Sequence, residues 1–592
     1  MKPFPMQSVL KLTFMIERSA IMGNILLFSL IVGLASALVL IPFSKKKTTG
    51  GKKLFKKKKN VENIKKPPKA GFYVTSIILF ILLVFAFYYV TNLDRNLTSL
   101  WIYAIFVTGI GSLLASGKER VIKSLLFIGS LIIAVYFLAA FLFNANEKYD
   151  SAQMKVKTEI EVFDEKETPA SVPPQFARNK MKKAFGQVPN TSYYELGNLQ
   201  IQKVNGDYVY IAPVEFSGFF KWWKADVIPG YFTISATDSS ANPKFITSEM
   251  AYTPSSFFNK KVERHIRLKY PQLIFYGDVQ LEIDNDGKPF YIRSYGDFIS
   301  ARDGFDVKGI VMVDPVSGDT KMYPLKDVPE FIDGAVSPEA VSLQNSYYGN
   351  FVHGYWNSKF GKSDVKLPSD EGTEANVSPI FDENGVMYYF TDFTSPKEGV
   401  DSMLGYSLTN SRTGEAVYYT GNLEESYMDS QGALQIIEKK FIEKKWQGAM
   451  PVLYNFYGEA SWLAPVLDSN GFLQNYFIVS AANPEISVYA STPNAALKQY
   501  KTALQRGGGT VDGSSKAKER QTAGVVVRVY KERTGEYTLV SFLLDNKKNY
   551  TISSENEPMV IYLQAGDQVK LTYMDTGETF LPVKEMAIEG LE

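Results

Sequence analysis

Four uncharged apolar stretches occupy residues 19–44, 70–93, 96–117 and 124–146, and about 450 mostly polar residues follow. Each stretch can cross roughly 30 Å of hydrocarbon as a helix. A soluble core does not need four such runs so close together. The expectation is a four-helix membrane anchor over 1–146 that carries a large water-exposed region.

Charge predicts the orientation. The loop 44–69 holds Lys45, Lys46, Lys47, Lys52, Lys53, Lys56, Lys57, Lys58 and Lys59, then Lys65, Lys66 and Lys69, against the single acid Glu62. A short loop this basic stays cytoplasmic, and its lysines are candidate contacts for anionic lipid headgroups. The loop between spans three and four, with Lys118, Arg120 and Lys123 against Glu119, agrees. Asp94 and Arg95, between spans two and three, then face outward. Both termini and the large C-terminal region are expected outside the plasma membrane. The mildly basic N-terminal tail fits this topology less well.

Residues 1–145 carry 19 Lys and Arg against 4 Asp and Glu, whereas the remainder carries 45 against 58. An acidic outer region argues against nucleic acid as a partner. The chain has no cysteine, which excludes disulfides, thiolate metal sites and Cys nucleophiles. Cysteine avoidance outside the membrane suits a bacterial or phage-encoded protein.

Residues 147–194 read as a stalk with one short helix. The region 195–504 then repeats a pattern four times. A turn (Asn205-Gly206, Asp286-Gly287, Asn384-Gly385 and Tyr457-Gly458) precedes a strand rich in Val, Ile, Tyr and Phe, and a second strand follows after an insertion. Asn-Gly and Asp-Gly favour hairpins because Gly accepts positive φ. The flanking residues fit a pleated, half-buried surface. Residues 257–270, with Phe258, Val262, Ile266 and Leu268, and residues 430–446, with Ala433, Leu434, Ile437 and Phe441, show helical spacing. Each unit is expected to be a helix packed on an antiparallel sheet.

Two closing strands sharpen the pattern. Residues 309–323 read GIVMVDPVSGDTKMY and residues 405–419 read GYSLTNSRTGEAVYY. Asp314 and Gly318 in the first align with Asn410 and Gly414 in the second. This resembles the PepSY domain, whose final strand reads roughly apolar-x-apolar-Asp-x-x-x-Gly. The resemblance covers about 300 residues as architecture and two short motifs in detail. It implies an extracytoplasmic, non-catalytic module of the kind proposed to restrain or escort peptidases. Turn geometry alone also accounts for Gly287, Asp314, Gly318, Gly385, Asn410 and Gly414.

A Gly/Ser-rich linker is expected over 505–523. About five strands fill 524–592, which suggests a small barrel of OB-like type.

Catalytic signatures are scarce. The chain holds two histidines, His265 and His353, and no second His stands at metal spacing from either. There is no nucleophile elbow, no Walker A motif and no dinucleotide fingerprint. Asp284-Asn-Asp-Gly287 resembles part of a calcium loop but lacks the later bidentate acid. No metal or other cofactor is expected. Trp222-Trp223, between Lys221 and Lys224, has two readings: a lipid-interface anchor, or a buried contact between repeats.

The favoured expectation is a non-enzymatic envelope protein, anchored in the lipid bilayer, whose repeats bind another protein or a wall component. Self-association of the anchor stays open. A cell-wall hydrolase using paired carboxylates is the alternative, because that chemistry has no local signature. A transport or pore component is weaker, because the spans hold no ionisable residue.

Overall fold

Apolar periodicity gives way to turn chemistry after residue 143, and the architecture changes with it. The computed structural model describes residues 24–42, 70–158, 172–373, 375–382, 384–397, 399–421, 426–506, 518–534, 537–554, 557–575 and 579–590. The basic loop 44–69, with its candidate lipid-contacting lysines from Lys45 to Lys59, lies outside these residues.

Three helices are long and apolar enough to cross a membrane, at Val74–Thr91, Leu97–Leu114 and Gly117–Phe143. The shorter apolar helix Ile25–Leu40 packs beside them. The chain is thus a multi-pass membrane protein. Small residues bring these helices close together. A Cβ added at Gly111 would lie 2.6 Å from the Val39 carbonyl oxygen, and one at Gly33 would lie 2.8 Å from the Ile81 Cα. Close backbone approach of this kind holds helices together where lipid supplies no hydrophobic drive.

The region beyond the anchor contains four antiparallel sheets with one connectivity. In each, the third strand is central. The first and second strands pair along one of its edges, the fourth along the other, and the fifth lies beyond the fourth. The central strands are Asp207–Phe216, Pro289–Asp297, Met387–Thr394 and Glu459–Leu467. A helix precedes each sheet: Pro174–Lys183, Val262–Lys269, Pro338–Asn350 and Ser430–Lys440. A fifth, Pro493–Arg506, closes the series against the fourth sheet.

The fourth residue after each opening turn glycine is a buried aromatic: Tyr210, Tyr291, Tyr389 and Trp462. These side chains tie each sheet to what lies before it. The Tyr210 hydroxyl donates to the Val172 carbonyl (2.7 Å), and the Trp462 indole N–H donates to the Met428 carbonyl (3.0 Å). Both acceptors sit just ahead of a unit's helix.

The stalk expected at 147–194 is integrated into the fold where it is described. Phe176, Ala177 and Met181 bury one face of Pro174–Lys183 in the core of the first sheet. Lys155–Lys157 adds a parallel edge strand to the third sheet, on Ala416–Tyr419. The first unit therefore begins at Pro174 rather than at 195. The linker is also shorter than expected. Helix runs to Arg506, and the first barrel strand starts at Lys518. That strand, Lys518–Thr534, is long enough to pair with Gln568–Asp575 along one half and with Tyr537–Leu544 along the other. Asn549–Ser553 and Phe580–Ile588 complete a closed five-stranded barrel.

The anchor is bolted to the region that follows it through the two charges between spans two and three. Asp94 accepts two hydrogen bonds from the Arg302 guanidinium, at 2.7 and 3.1 Å. Arg95 donates to the Pro271 and Arg267 carbonyls. Arg267 in turn donates to the Asn92 carbonyl (3.0 Å). Burial lowers the Arg267 guanidinium to about 9. Its backbone-carbonyl partners compensate part of that desolvation.

Candidate functional site

The chain leaving a sheet must start a new helix, and its first backbone N–H groups need acceptors. In the second and third units a polar side chain on the central strand supplies one: the Ser294 hydroxyl accepts from the Ser337 N–H (3.1 Å), and Asp392 accepts from the Ser430 N–H (3.0 Å). Glu215 stands two residues farther along its strand, and it accepts from the Ser255 N–H (3.0 Å) in a turn ahead of the helix Val262–Lys269.

The surroundings of Glu215 differ from those of the other two. A cleft of about 370 Å³ opens between the first and second sheets and is lined by Glu195, Glu215, Glu263, Asp278 and Tyr291, among others. Burial raises the Glu215 carboxyl to about 7. Its Oε1 faces the Tyr291 hydroxyl at 3.4 Å. Glu263 lies in the first turn of Val262–Lys269, and burial raises its carboxyl as well. Its buried Oε2 has no hydrogen-bond partner among the described residues. Arg293 packs over Phe275 and donates to the Gly277 carbonyl (3.2 Å), and burial lowers its guanidinium.

Four acids around an open cavity make a local negative field. The arrangement can hold a proton near neutrality or receive a cationic group, such as an ammonium or guanidinium side chain. Among the described residues no group of three or more His, Cys, Asp or Glu could hold a metal ion.

A second buried acid pair has a structural place. Glu282 accepts from the Asp333 and Gly334 N–H groups (2.8 and 2.7 Å), and Asp333 accepts from the Lys203 N–H (2.7 Å). Burial raises both carboxyls. These bonds join the first two sheets to the segment that leads into the third.

The residues singled out in the sequence are dispersed. Gly287, Gly318, Gly385 and Gly414 all occupy turns with φ between +75° and +81°. Asp314 accepts from the Val316 and Ser317 N–H groups, and Asn410 accepts from those of Arg412 and Thr413. The two closing turns are therefore equivalent in detail. His265 shares a 2.7 Å hydrogen bond with the Gly318 carbonyl, and His353 pairs with Asp364 at the surface. Trp222 is buried in the core between the first two sheets, and Trp223 is exposed. Phe258, expected on the apolar face of a helix, lies in a 3-10 turn and points outward.

Sequence reasoning missed Glu215 and Glu263. A single acid among 62 carries no local signal. Asp94 and Arg95 did carry one, as the only charges between two adjacent spans.

No family model and no curated protein matches the sequence. Among solved structures, a complex of BT0996 with RGII matches over 64% of this chain and 94% of its own, at 9% identity and a TM-score of 0.17. Trypanosoma rangeli sialidase matches over 67% of this chain and 55% of its own, at 8% identity and a TM-score of 0.15.

Proposed function

We propose that this chain is a non-enzymatic envelope protein of a bacterium or phage. Its PepSY-like repeats face away from the cytoplasm and bind a basic group of a protein or wall partner in the cleft between the first two units. One observation carries the reading. Glu215 and Glu263 line one cleft with Glu195 and Asp278, and the buried Glu263 Oε2 has no hydrogen-bond partner among the described residues, so the cleft offers an unmatched acceptor to a cationic group. The PepSY-like assignment draws support from the helix that precedes each sheet and from the matched turns at Gly318 and Gly414. The OB-like assignment of the barrel draws support from its strand order and its long first strand. The orientation rests on the positive-inside rule.

The test places a benzophenone amino acid at Asn198, on the cleft rim, in the full-length protein in its host membrane. A discrete protein or glycan adduct is expected, and Glu263→Lys should abolish it. An adduct that persists in Glu263→Lys overturns the cleft as the binding site.

The wall-hydrolase reading has one observation in its favour. Glu215 and Glu263 share one cleft, and burial raises the Glu215 carboxyl to about 7, as a general acid requires. Release of wall fragments by the purified protein, lost in Glu215→Gln with no loss of thermal stability, would establish that reading instead.

A further inference from the structure

Two groups of exposed aromatic side chains flank the membrane anchor. The first unit carries Phe220 and Trp223 on the helix Phe219–Ala225, 78% and 68% exposed, with Phe258 beside them. The segment leading to the third unit carries Trp356 and Phe360, 61% and 79% exposed and stacked on each other (centroids 5.9 Å apart). Water-facing surfaces do not usually cluster large rings in this way.

Their position identifies what covers them. Asn259, next to Phe258, accepts a 2.8 Å hydrogen bond from the Tyr89 hydroxyl. Tyr89 is two residues from the end of the helix Ala70–Thr91. Arg264 also donates to the Tyr89 carbonyl (3.1 Å). On the other side, Tyr355, next to Trp356, packs edge-on against Phe141 at 5.2 Å. Phe141 is two residues from the end of Gly117–Phe143. Both groups thus meet a membrane helix within its last turn. The two helices end on the same side of the bilayer, because each is followed directly by contacts to the outer region. Lysines stand beside the rings: Lys221 and Lys224 in the first group, Lys359 and Lys362 in the second. Trp at the headgroup layer, with Lys reaching toward phosphate, is the expected side-chain chemistry of that depth.

We propose that these two aromatic groups insert into the interface of the leaflet that faces the outer region. They form two feet on opposite units, and with the polar junction at Asp94 they set the tilt of the repeats over the membrane. Trp222 and Phe257 support the first foot from below, with ring centroids 5.5 Å apart. This inference rests on the membrane helices and is independent of what the cleft binds.

Because the chain has no cysteine, a single introduced Cys is a unique labelling site. Phe220→Cys and Phe360→Cys would each be nitroxide-labelled in the full-length protein in phosphatidylcholine–phosphatidylglycerol nanodiscs. Val316→Cys serves as the water-exposed reference. Spin-relaxation accessibility should rise for oxygen and fall for a water-soluble nickel chelate at both foot positions, by several-fold relative to position 316. Water-like accessibility at either foot overturns the proposal. Low accessibility to both reagents indicates a protein neighbour, such as a second copy, and overturns it as well. If a Cys variant fails to fold, Lys224→Cys and Lys359→Cys report the same depths without removing a ring, and they are expected to lie at the headgroup level.

Discussion

The junction between the first two units and the junction between the last two start from the same parts and end differently. Each has a carboxylate on the earlier central strand that accepts a backbone N–H from a serine of the next unit: Glu215 from Ser255, in a turn ahead of the helix, and Asp392 from Ser430, in the first turn of the helix. Each has an aromatic at the same place on the later central strand, Tyr291 or Trp462. In the last pair, Trp462 fills the space, packs edge-on against Phe390 and donates its N–H to the backbone. A cavity of about 300 Å³ opens elsewhere between these units, lined by Asp370, Glu371, Leu434 and Met450 among others. In the first pair, Tyr291 itself lines a cleft of about 370 Å³. Its hydroxyl turns to the carboxylate. The lesson is that the ring alone does not open a junction: Tyr389, at the same place in the third unit, lines a cavity of only about 30 Å³, and it is the buried acids around Tyr291 that set its cleft apart.

The largest effect should come from Trp462. Trp462→Ala is expected to cost about 3–5 kcal/mol, and Tyr291→Ala less, because one wall of Tyr291 already faces a cavity. Denaturant unfolding of the full chain in nanodiscs checks this. Equal costs would erase the distinction between the junctions.

The carboxylates sharpen it through pH. Burial raises Glu215 from an ordinary 4.5 to about 7, so the folded state holds the proton more tightly than the unfolded chain. Its stabilising contribution is complete below the unfolded value of 4.5 and is lost as pH rises to about 7. Asp392 should show the same sign between 3.8 and about 6. Glu215→Gln should remove the upper part of the slope and gain on the order of 1–3 kcal/mol at about pH 8. A melting profile whose slope is unchanged in Glu215→Gln would refute the assignment.

The closing turns extend the comparison to the backbone. Val at Gly318 or Gly414 must adopt positive φ, at roughly 1–3 kcal/mol. Gly318→Val should cost more, because its Cβ would meet the Tyr252 ring at 2.6 Å, whereas at Gly414 the nearest atom is a Val336 methyl at 3.5 Å. Asn at Gly414 should be much milder. Thermal melts that give the two Val variants equal costs would show that φ, +78° and +75° at these sites, and not packing sets the cost.

The smallest effect should be that of Glu263→Gln. Its Oε2 has no hydrogen-bond partner among the described residues and burial already favours its neutral form, so the substitution should cause no loss of stability. A loss would mean that Glu263 is part of the core rather than of a site.

Much of the architecture was legible because it rests on local signals. Apolar runs marked the membrane helices, and turn glycines marked the hairpins at Gly287 and Gly385. The helix Pro338–Asn350 was also announced, by Ser337 as cap and Pro338 in the first turn, but its weak amphipathic pattern hid it among loops. The strand Lys155–Lys157 was not legible, since three residues with alternating Lys have no identity apart from their partner. The cleft was equally silent. It arises where the first two sheets and the helix Val262–Lys269 converge, and none of that is written in the neighbourhood of Glu215.

That short edge strand has a consequence for assembly. Lys157 and Thr420, joined by a 3.0 Å backbone hydrogen bond, stand 263 positions apart. The segment leaves the membrane early in synthesis, yet its partner strand is made only after two whole units and most of a third. Closing a loop of that length adds little to the equilibrium cost, because loop entropy grows only logarithmically. It does defer the event, since non-local pairings form slowly. The third sheet therefore keeps an open edge until late in folding, and a ribosome stalled before residue 416 would leave the segment exposed for a chaperone or protease to find.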